Sequence, residues 1–238
     1  MSCVIRWYPN SWVYIKTAHR VIYIDPAYMF RYARSYPPPQ NMTSWPDQDD
    51  WLPAEMEKAD LILITHPHQD HCKKETIERL RKQDTRIFAP STCSKKITGP
   101  MEIVKVGEQR NIADISIQVI AAYNTEEGDS TRKIHKKGDG VGYHLTLDNG
   151  LTIYHAGDTD FIPEMKALGR VDLAFIPIGG VYTMDIGDAV KAVSEIKPRK
   201  VVPMHFLDNR PEDFANQLDR QNKIEVKILR SGESLIYE

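Results

Sequence analysis

The segment Thr65-His66-Pro67-His68-Gln69-Asp70-His71 packs three imidazoles and a carboxylate into seven residues. Imidazole nitrogens and carboxylate oxygens are ligands for zinc, manganese, iron or nickel. His66 and His68 are two apart, so on an extended loop they share a side and can grip one ion. Asp70 and His71 follow where the chain turns toward a helix, and they can face a second ion. Two ions about 3.5–4 Å apart can clamp a hydroxide and the oxygens of a substrate. The competing reading is a polar loop whose histidines cluster by accident. With only 8 histidines in the chain, this density argues against it.

The motif needs a strand before it and a helix after it. Residues 61–64 form a short apolar run that reads as a strand. Residues 73–83 form a charged, helix-like segment with Ile77 and Leu80 on one face. Upstream, β-branched and aromatic runs at 4–8, 12–17 and 20–24 predict strands, the last stopped by Asp25-Pro26. Downstream, strands are expected at 86–89, 103–106 and 115–122, followed by a polar loop over 123–140. A hairpin of 141–147 and 151–154 turns on Asp148-Asn149-Gly150, a strong turn signal. A helix near 163–168, a strand at 171–176, a helix at 186–196, a strand at 201–203, a helix at 211–219 and a closing strand at 224–229 complete the chain. Hairpins with interleaved helices predict a mixed α/β fold with a partly antiparallel sheet. Neither an internal repeat nor a linker stands out, so residues 1–238 read as a single domain.

Residues 26–53 stand apart. They contain Pro37 to Pro39, Pro46 and Pro53, with Tyr28, Phe30, Tyr32, Tyr36, Trp45 and Trp51. A segment this long between elements is often functional, and it reads equally as a lid or as a loop packed down by its aromatics.

Composition bounds the function. The chain has 238 residues, 41% hydrophobic and 27% charged, which is ordinary for a globular protein and argues against wholesale disorder. The net charge of −2 gives no global attraction to nucleic acid or to an anionic membrane. The most apolar runs, 61–64 and 173–178, are far below the roughly 18 residues that span a bilayer. Arg6 and Pro9 interrupt any apolar leader, and three cysteines without a CxxC pair make no disulfide framework. The expected setting is the reducing cytoplasm, with a small-molecule substrate, no membrane, and nucleic acid disfavoured.

The segment THPHQDH resembles the signature of the metallo-β-lactamase superfamily. Tyr154-His155-Ala156-Gly157-Asp158-Thr159 and Pro203-Met204-His205 resemble two further motifs of that family, and Pro177-Ile178-Gly179-Gly180 adds to the likeness. The phrases look most like the branch of predicted metal-dependent hydrolases that includes the ascorbate-6-phosphate lactonase. The resemblance implies an αββα sandwich of two mixed β-sheets flanked by helices. It also implies two divalent metal ions, zinc first, with manganese or iron as alternatives. Under it, His66 and His68 would hold the first metal, and Asp70, His71 and His205 the second. Asp158 would bridge, and a metal-activated hydroxide would be the nucleophile, with Asp70 and Asp158 as the catalytic carboxylates. Independently, His66, Asp158 and His205 each follow a predicted strand, where α/β sheets usually build sites.

One position departs from the pattern. The family's first metal usually has a third histidine after the strand that is 115–122 here, and this chain has Tyr123-Asn124. His135 can reach back from the loop, Asn124 can replace it, or neither serves. Other residues carry weaker signals. His155 adjoins the bridging Asp, while His144 and His19 read as structural. Cys72 reads as a small buried residue rather than a thiolate ligand. Asp160 and Tyr182 can lie at the mouth, with the Gly179-Gly180 amides available to an oxyanion. Arg132, Lys133, Lys136 and Lys137 surround His135, and can bind a substrate anion or form a solvated loop.

The expected function is hydrolysis of a small, anionic ester, lactone or phosphodiester. A nucleic-acid phosphodiesterase and a degenerate, non-catalytic metal-binding protein are the rivals. Fold alone names no substrate.

Overall fold

The computed structural model describes residues 2–36, 38, 44, 56–219 and 224–237. The chain forms two compact units, Met1–Val104 with Leu229–Glu238, and Lys105–Ile228. In chain order the first holds β1 (Cys3–Tyr8), β2 (Trp12–Lys16), β3 (Val21–Ile24), α1 (Phe30–Ala33), β4 (Leu61–Leu63), α2 (Lys74–Leu80), β5 (Arg86–Ala89) and β6 (Glu102–Ile103). The second holds β7 (Gln109–Ile112), β8 (Ile115–Ala122), β9 (Gly140–Thr146), β10 (Thr152–His155), β11 (Leu173–Pro177), α3 (Ile186–Ile196), β12 (Lys200–Met204), α4 (Pro211–Asp219) and β13 (Glu225–Val226). The last strand, β14 (Ser234–Tyr237), returns to the first unit.

Each unit is built on one seven-stranded sheet, ordered β14-β1-β2-β3-β4-β5-β6 and β13-β12-β11-β10-β9-β8-β7. In the first, β14, β1, β2 and β3 pair antiparallel, and β3 through β6 pair parallel. The second sheet repeats the scheme: β7 to β10 are antiparallel, β10 to β13 parallel. This symmetry is in the backbone and leaves no trace at the level of residue identity.

The inner strands of the parallel halves are buried on both faces, as all of Val21–Ile24, Leu61–Leu63 and Leu173–Pro177 are buried. That is why these runs are continuously apolar, whereas β8 alternates. Helix α3 buries Ala189, Val190, Ala192, Val193 and Ile196, one stripe at helical spacing. Asp185 caps it by accepting from the backbone N–H of Asp188 at 2.8 Å.

Several expected boundaries move. The segment near 163–168 is a 3-10 helix over Pro163–Ala167, too short to settle into α geometry before Gly169. The helix expected to reach 83 stops at Leu80, because Arg81 turns extended. The strand expected over 103–106 shrinks to Glu102–Ile103. Strand β7, with the polar sequence QRNI, carries no apolar signal because it is an edge strand. The closing strand is Ser234–Tyr237, while 224–229 supplies only Glu225–Val226. Within 26–53, helix α1 was not anticipated; Tyr28 is buried, and Tyr36 packs edge-on against Trp7 at 5.5 Å. Residues 37, 39–43 and 45–53 of that segment, with Trp45 and Trp51, lie outside the described residues, and so does the expectation of a lid.

Candidate metal centre

In the first unit the site grows from two parallel strands. β3 and β4 end side by side, with Ile24 opposite Leu63. Asp25 follows β3 with φ +49° and donates its N–H to Leu63 O at 2.9 Å. Its fully buried carboxylate accepts from Thr65 N at 2.7 Å, from Thr65 Oγ1 at 2.6 Å, and faces His71 Nδ1 at 2.7 Å. A carboxylate there fixes the His71 proton on Nδ1 and leaves the Nε2 lone pair for a ligand role. Thr65 spends its own proton on Asp25, so its oxygen accepts from His66 Nδ1 at 2.9 Å. The same network therefore presents the Nε2 lone pair of His66. His66 Nε2 and His68 Nδ1 lie 3.0 Å apart. Two nitrogens bound tetrahedrally to one zinc at about 2.0–2.1 Å would stand about 3.3 Å apart, so this pair fits such an ion. Asn10 Nδ2 donates to Asp70 Oδ2 at 2.8 Å and fixes the rotation of that carboxylate, whose Oδ2 is 3.8 Å from His71 Nε2.

In the second unit Asp158 follows β10 and His205 follows β12, strands that flank β11 in parallel. The turn before Asp158 needs Gly157, at φ +67°, and His155 Nδ1 accepts the Gly157 N–H at 3.2 Å. His205 takes the left-handed conformation without being glycine, at φ +49°. Such strain is held where function requires it. Asp158 Oδ2 lies 3.3 Å from His205 Nε2 and 3.4 Å from His135 Nε2, and all three residues are buried.

His135 is locked from its far side. Its Nδ1 faces Asn124 Oδ1 at 3.1 Å and Tyr182 O at 3.0 Å, both acceptors, so Nδ1 carries the proton. Its backbone N–H donates to Asn124 Oδ1 at 2.9 Å, and Asn124 N donates to His135 O at 2.8 Å. The two N–H groups of Asn124 Nδ2 are in turn shared among Ser130 Oγ, Asp160 Oδ1 and Tyr182 O. Asn124 is thereby spent on orienting His135. A neutral His135 then presents a lone pair toward a carboxylate oxygen. Two acceptors facing each other in a buried place need a shared cation, a proton or a metal. His66, His68, Asp70, His71, His135, Asp158 and His205 each offer a ligand atom to a group able to hold a metal ion.

The beta-lactamase superfamily domain matches residues 4–205. A UPF0173 metal-dependent hydrolase of Thermococcus kodakarensis is 38% identical over 197 residues, covering 77% of this chain and 84% of that one. Another, from Lysinibacillus sphaericus, is 34% identical and covers 97% and 98%. A solved structure titled as a metal-dependent hydrolase from Parabacteroides distasonis is 32% identical, with a TM-score of 0.79 over 95% of this chain and 92% of that one.

The chain belongs to the metallo-β-lactamase superfamily. The UPF0173 metal-dependent hydrolases are among its relatives, and its two mixed sheets with their helices are the metallo-β-lactamase fold. Within that family frame, Asp25, Thr65 and Asn10 are the site residues that sequence reasoning missed. Asp25 leaves one signal in the sequence, an acidic residue directly after an apolar strand, which a strand stop explains equally well.

Four expectations around this metallo-β-lactamase site are corrected. Asp160 is fully buried rather than at the mouth, and accepts from Asn124, Thr125 N and Lys133. A Cβ on Gly128 would collide with the Asp160 carboxylate and its Cβ, so glycine lets the loop close on this side chain. The Gly179 and Gly180 amides are spent on Thr183 Oγ1 and Met184 O, so they offer no oxyanion hole. Lys133 is tied to Gly128 O, Ser130 and Asp160. Lys137 is tied to Glu164 at 2.9 Å and Tyr123, which holds the Glu164 carboxyl below its ordinary value although burial opposes this. Cys72 is buried as read, and the hydrogen bond of Cys93 to it, together with burial, pushes the Cys93 thiol up. His144 serves structure, between Gln118 Oε1 and Arg170 O. The acidic trio Asp129, Asp185 and Asp188 is absorbed by the α3 cap, by the Asp129 N–H and by Lys191.

Among the described residues, no helix is long and apolar enough to cross a membrane.

Proposed function

We propose that this protein is a hydrolase working with two divalent metal ions, zinc before manganese or iron. His66, His68 and His135 would hold one, Asp70, His71 and His205 the other, and Asp158 both. The observation that carries the reading is the direction of the imidazoles. His66, His71 and His135 each have Nδ1 engaged by an oxygen acceptor, so each turns Nε2 to ligand duty. The donor set of imidazole and carboxylate suits zinc.

Bound metal ions supply Lewis acidity and bring the pKa of a water toward neutrality. The chain's own part is positional. Asp25 orients His71 directly and His66 through Thr65. Asn124 and the Tyr182 carbonyl orient His135, Asn10 orients Asp70, and the Gly157 turn aims Asp158. The buried carboxylate of Asp158 and the partly buried one of Asp70 offset the cationic charge and keep the site from rejecting an ion.

The substrate class is a small ester, lactone or phosphodiester, and likeness to the ascorbate-6-phosphate lactonase branch favours a lactone. The three cysteines are free and buried, which suits the reducing cytoplasm as the working compartment. The test pairs elemental mass spectrometry on protein purified without chelator with turnover of p-nitrophenyl acetate, a γ-lactone and bis-p-nitrophenyl phosphate. Two ions per chain and at least one turnover abolished by Asp158→Ala are expected. Metal-free protein that stays inert after zinc or manganese is added would return the reading to a non-catalytic protein.

A further inference from the structure

The loop around His135 carries four cations, and the structure separates them. Lys133 and Lys137 are committed to Asp160 and Glu164. Lys136 is exposed and makes no ion pair among the described residues. Arg132 is different again. It is exposed, and among the described residues no carboxylate pairs with it, yet its guanidinium is not loose. Its Nη1 donates to the Tyr182 hydroxyl at 3.2 Å, and its Cζ lies 5.6 Å from the centre of the Tyr182 ring. Its backbone N–H donates to Val181 O at 2.7 Å, and the preceding Thr131 N–H donates to Gly180 O at 3.2 Å. The main chain of both partners is therefore pinned, and the Tyr182 carbonyl is the one that accepts from His135 Nδ1.

The pairing engages the Arg132 guanidinium through one Nη1 donor, and no carboxylate pairs with it among the described residues. It leaves the planar fork of guanidinium N–H groups open on one side. The phenol accepts from Arg132 and keeps its own O–H to donate. A guanidinium fork and a phenolic O–H side by side form a receptor for a carboxylate or phosphate. The hydrogen bond and the contact with the ring hold the arginine in place before any ligand arrives, which lowers the entropic cost of binding.

We propose that Arg132 and Tyr182 form an anion subsite beside His135 that selects substrates carrying a carboxylate or phosphate apart from the bond to be cleaved. This deepens the hydrolase reading and rests on it for the word substrate, though not for the binding of an anion.

The test compares two esters of similar size, p-nitrophenyl hemisuccinate, which carries a carboxylate, and p-nitrophenyl valerate, which does not. The quantity read is the ratio of their kcat/KM values. Arg132→Gln should lower that ratio about 10- to 100-fold, the range expected for a charge-assisted contact. Tyr182→Phe, which keeps the ring and the carbonyl, should lower it less, and Arg132→Lys should keep part of it. Metal content reads out whether the His135 loop is intact in each variant. An equal ratio in wild type and Arg132→Gln overturns the subsite. Failure of the hydrolase reading looks different: wild-type protein turns over none of the ester, lactone and phosphodiester probes. Where neither p-nitrophenyl ester is turned over, the subsite is read by calorimetric titration with glutarate, where Arg132→Gln should weaken binding by the same factor and equal affinities overturn it.

Discussion

Asn124 Oδ1 takes two hydrogen bonds from His135, one from the backbone N–H at 2.9 Å and one from ring Nδ1 at 3.1 Å. A single side-chain oxygen thus sets both the loop path and the tautomer of the histidine. The resemblance puts a histidine where Asn124 stands; in the proposed metal site the imidazole would come from the loop, and the strand end provides its holder.

Replacing that holder should therefore loosen a ligand without removing it. Asn124→Ala should lower affinity at the His135 site about 10- to 100-fold, the usual cost of losing an orienting partner. His135→Ala should lose that ion outright. Competition with a chromogenic zinc chelator reads both. Metal content in His135→Ala equal to wild type would remove this residue from the ligand set.

Asp25 offers a sharper test because it acts only through others. Asp25→Asn keeps the shape and can still accept from Thr65. Its amide N–H would face His71 Nδ1, however, and force the His71 proton onto Nε2. The expected result is a folded protein with about 10- to 100-fold weaker metal binding. Asp25→Ala should also destabilise the fold, by about 3–5 kcal/mol, because a fully buried hydrogen-bonded carboxylate is lost. Urea denaturation separates the two effects.

Asp172 predicts an acid-sensitive element away from the metal ligands. Burial would raise its pKa, but hydrogen bonds from Thr152 N at 3.0 Å, Thr152 Oγ1 at 2.9 Å and Arg170 hold it below the ordinary value. A depressed folded pKa contributes stability that is complete above the unfolded value, about 3.9, and is lost as pH falls through the folded value. Asp172→Asn should cost about 1–3 kcal/mol at pH 7. Its stability should then fall less steeply with acid below about pH 4 than that of wild type. Parallel curves for the two proteins would argue against this assignment.

Metal removal should act on stability as well as on turnover. A ligand that binds only the folded chain stabilises it by mass action, about 2.7 kcal/mol at 100 times its Kd. Chelation should therefore lower Tm by several degrees, and restoring zinc should recover it. In Asp158→Ala, which lacks the shared carboxylate, the same additions should shift Tm much less.

Much of this protein was legible as text. The runs now forming β3, β4 and β11 are continuously apolar because parallel strands are buried on both faces, and α3 and α4 fall on the residues that helical spacing marks. His66, His68, Asp70 and His71 were readable because their partners are neighbours in sequence, and Asp158 and His205 because they follow strands. Edge strands were less legible. The QRNI of β7 pairs on one side only and needs no apolar pattern, and Ser234–Tyr237 carries no strand expectation, whereas 224–229 and 103–106 mark edge strands that shrink to Glu225–Val226 and Glu102–Ile103.

The residue types thus determined, by themselves, that the chain carries a histidine and carboxylate set suited to metal-assisted hydrolysis. Only the tertiary structure decided how each member is used. Asp25 meets His71 from 46 residues away, and Asn124 meets His135 from 11. Which nitrogen of an imidazole holds the proton depends on the acceptor opposite it, and which lysine is spent depends on the carboxylate beside it. Those partners are brought together by strand ends and loop closure, and sequence spacing does not encode them.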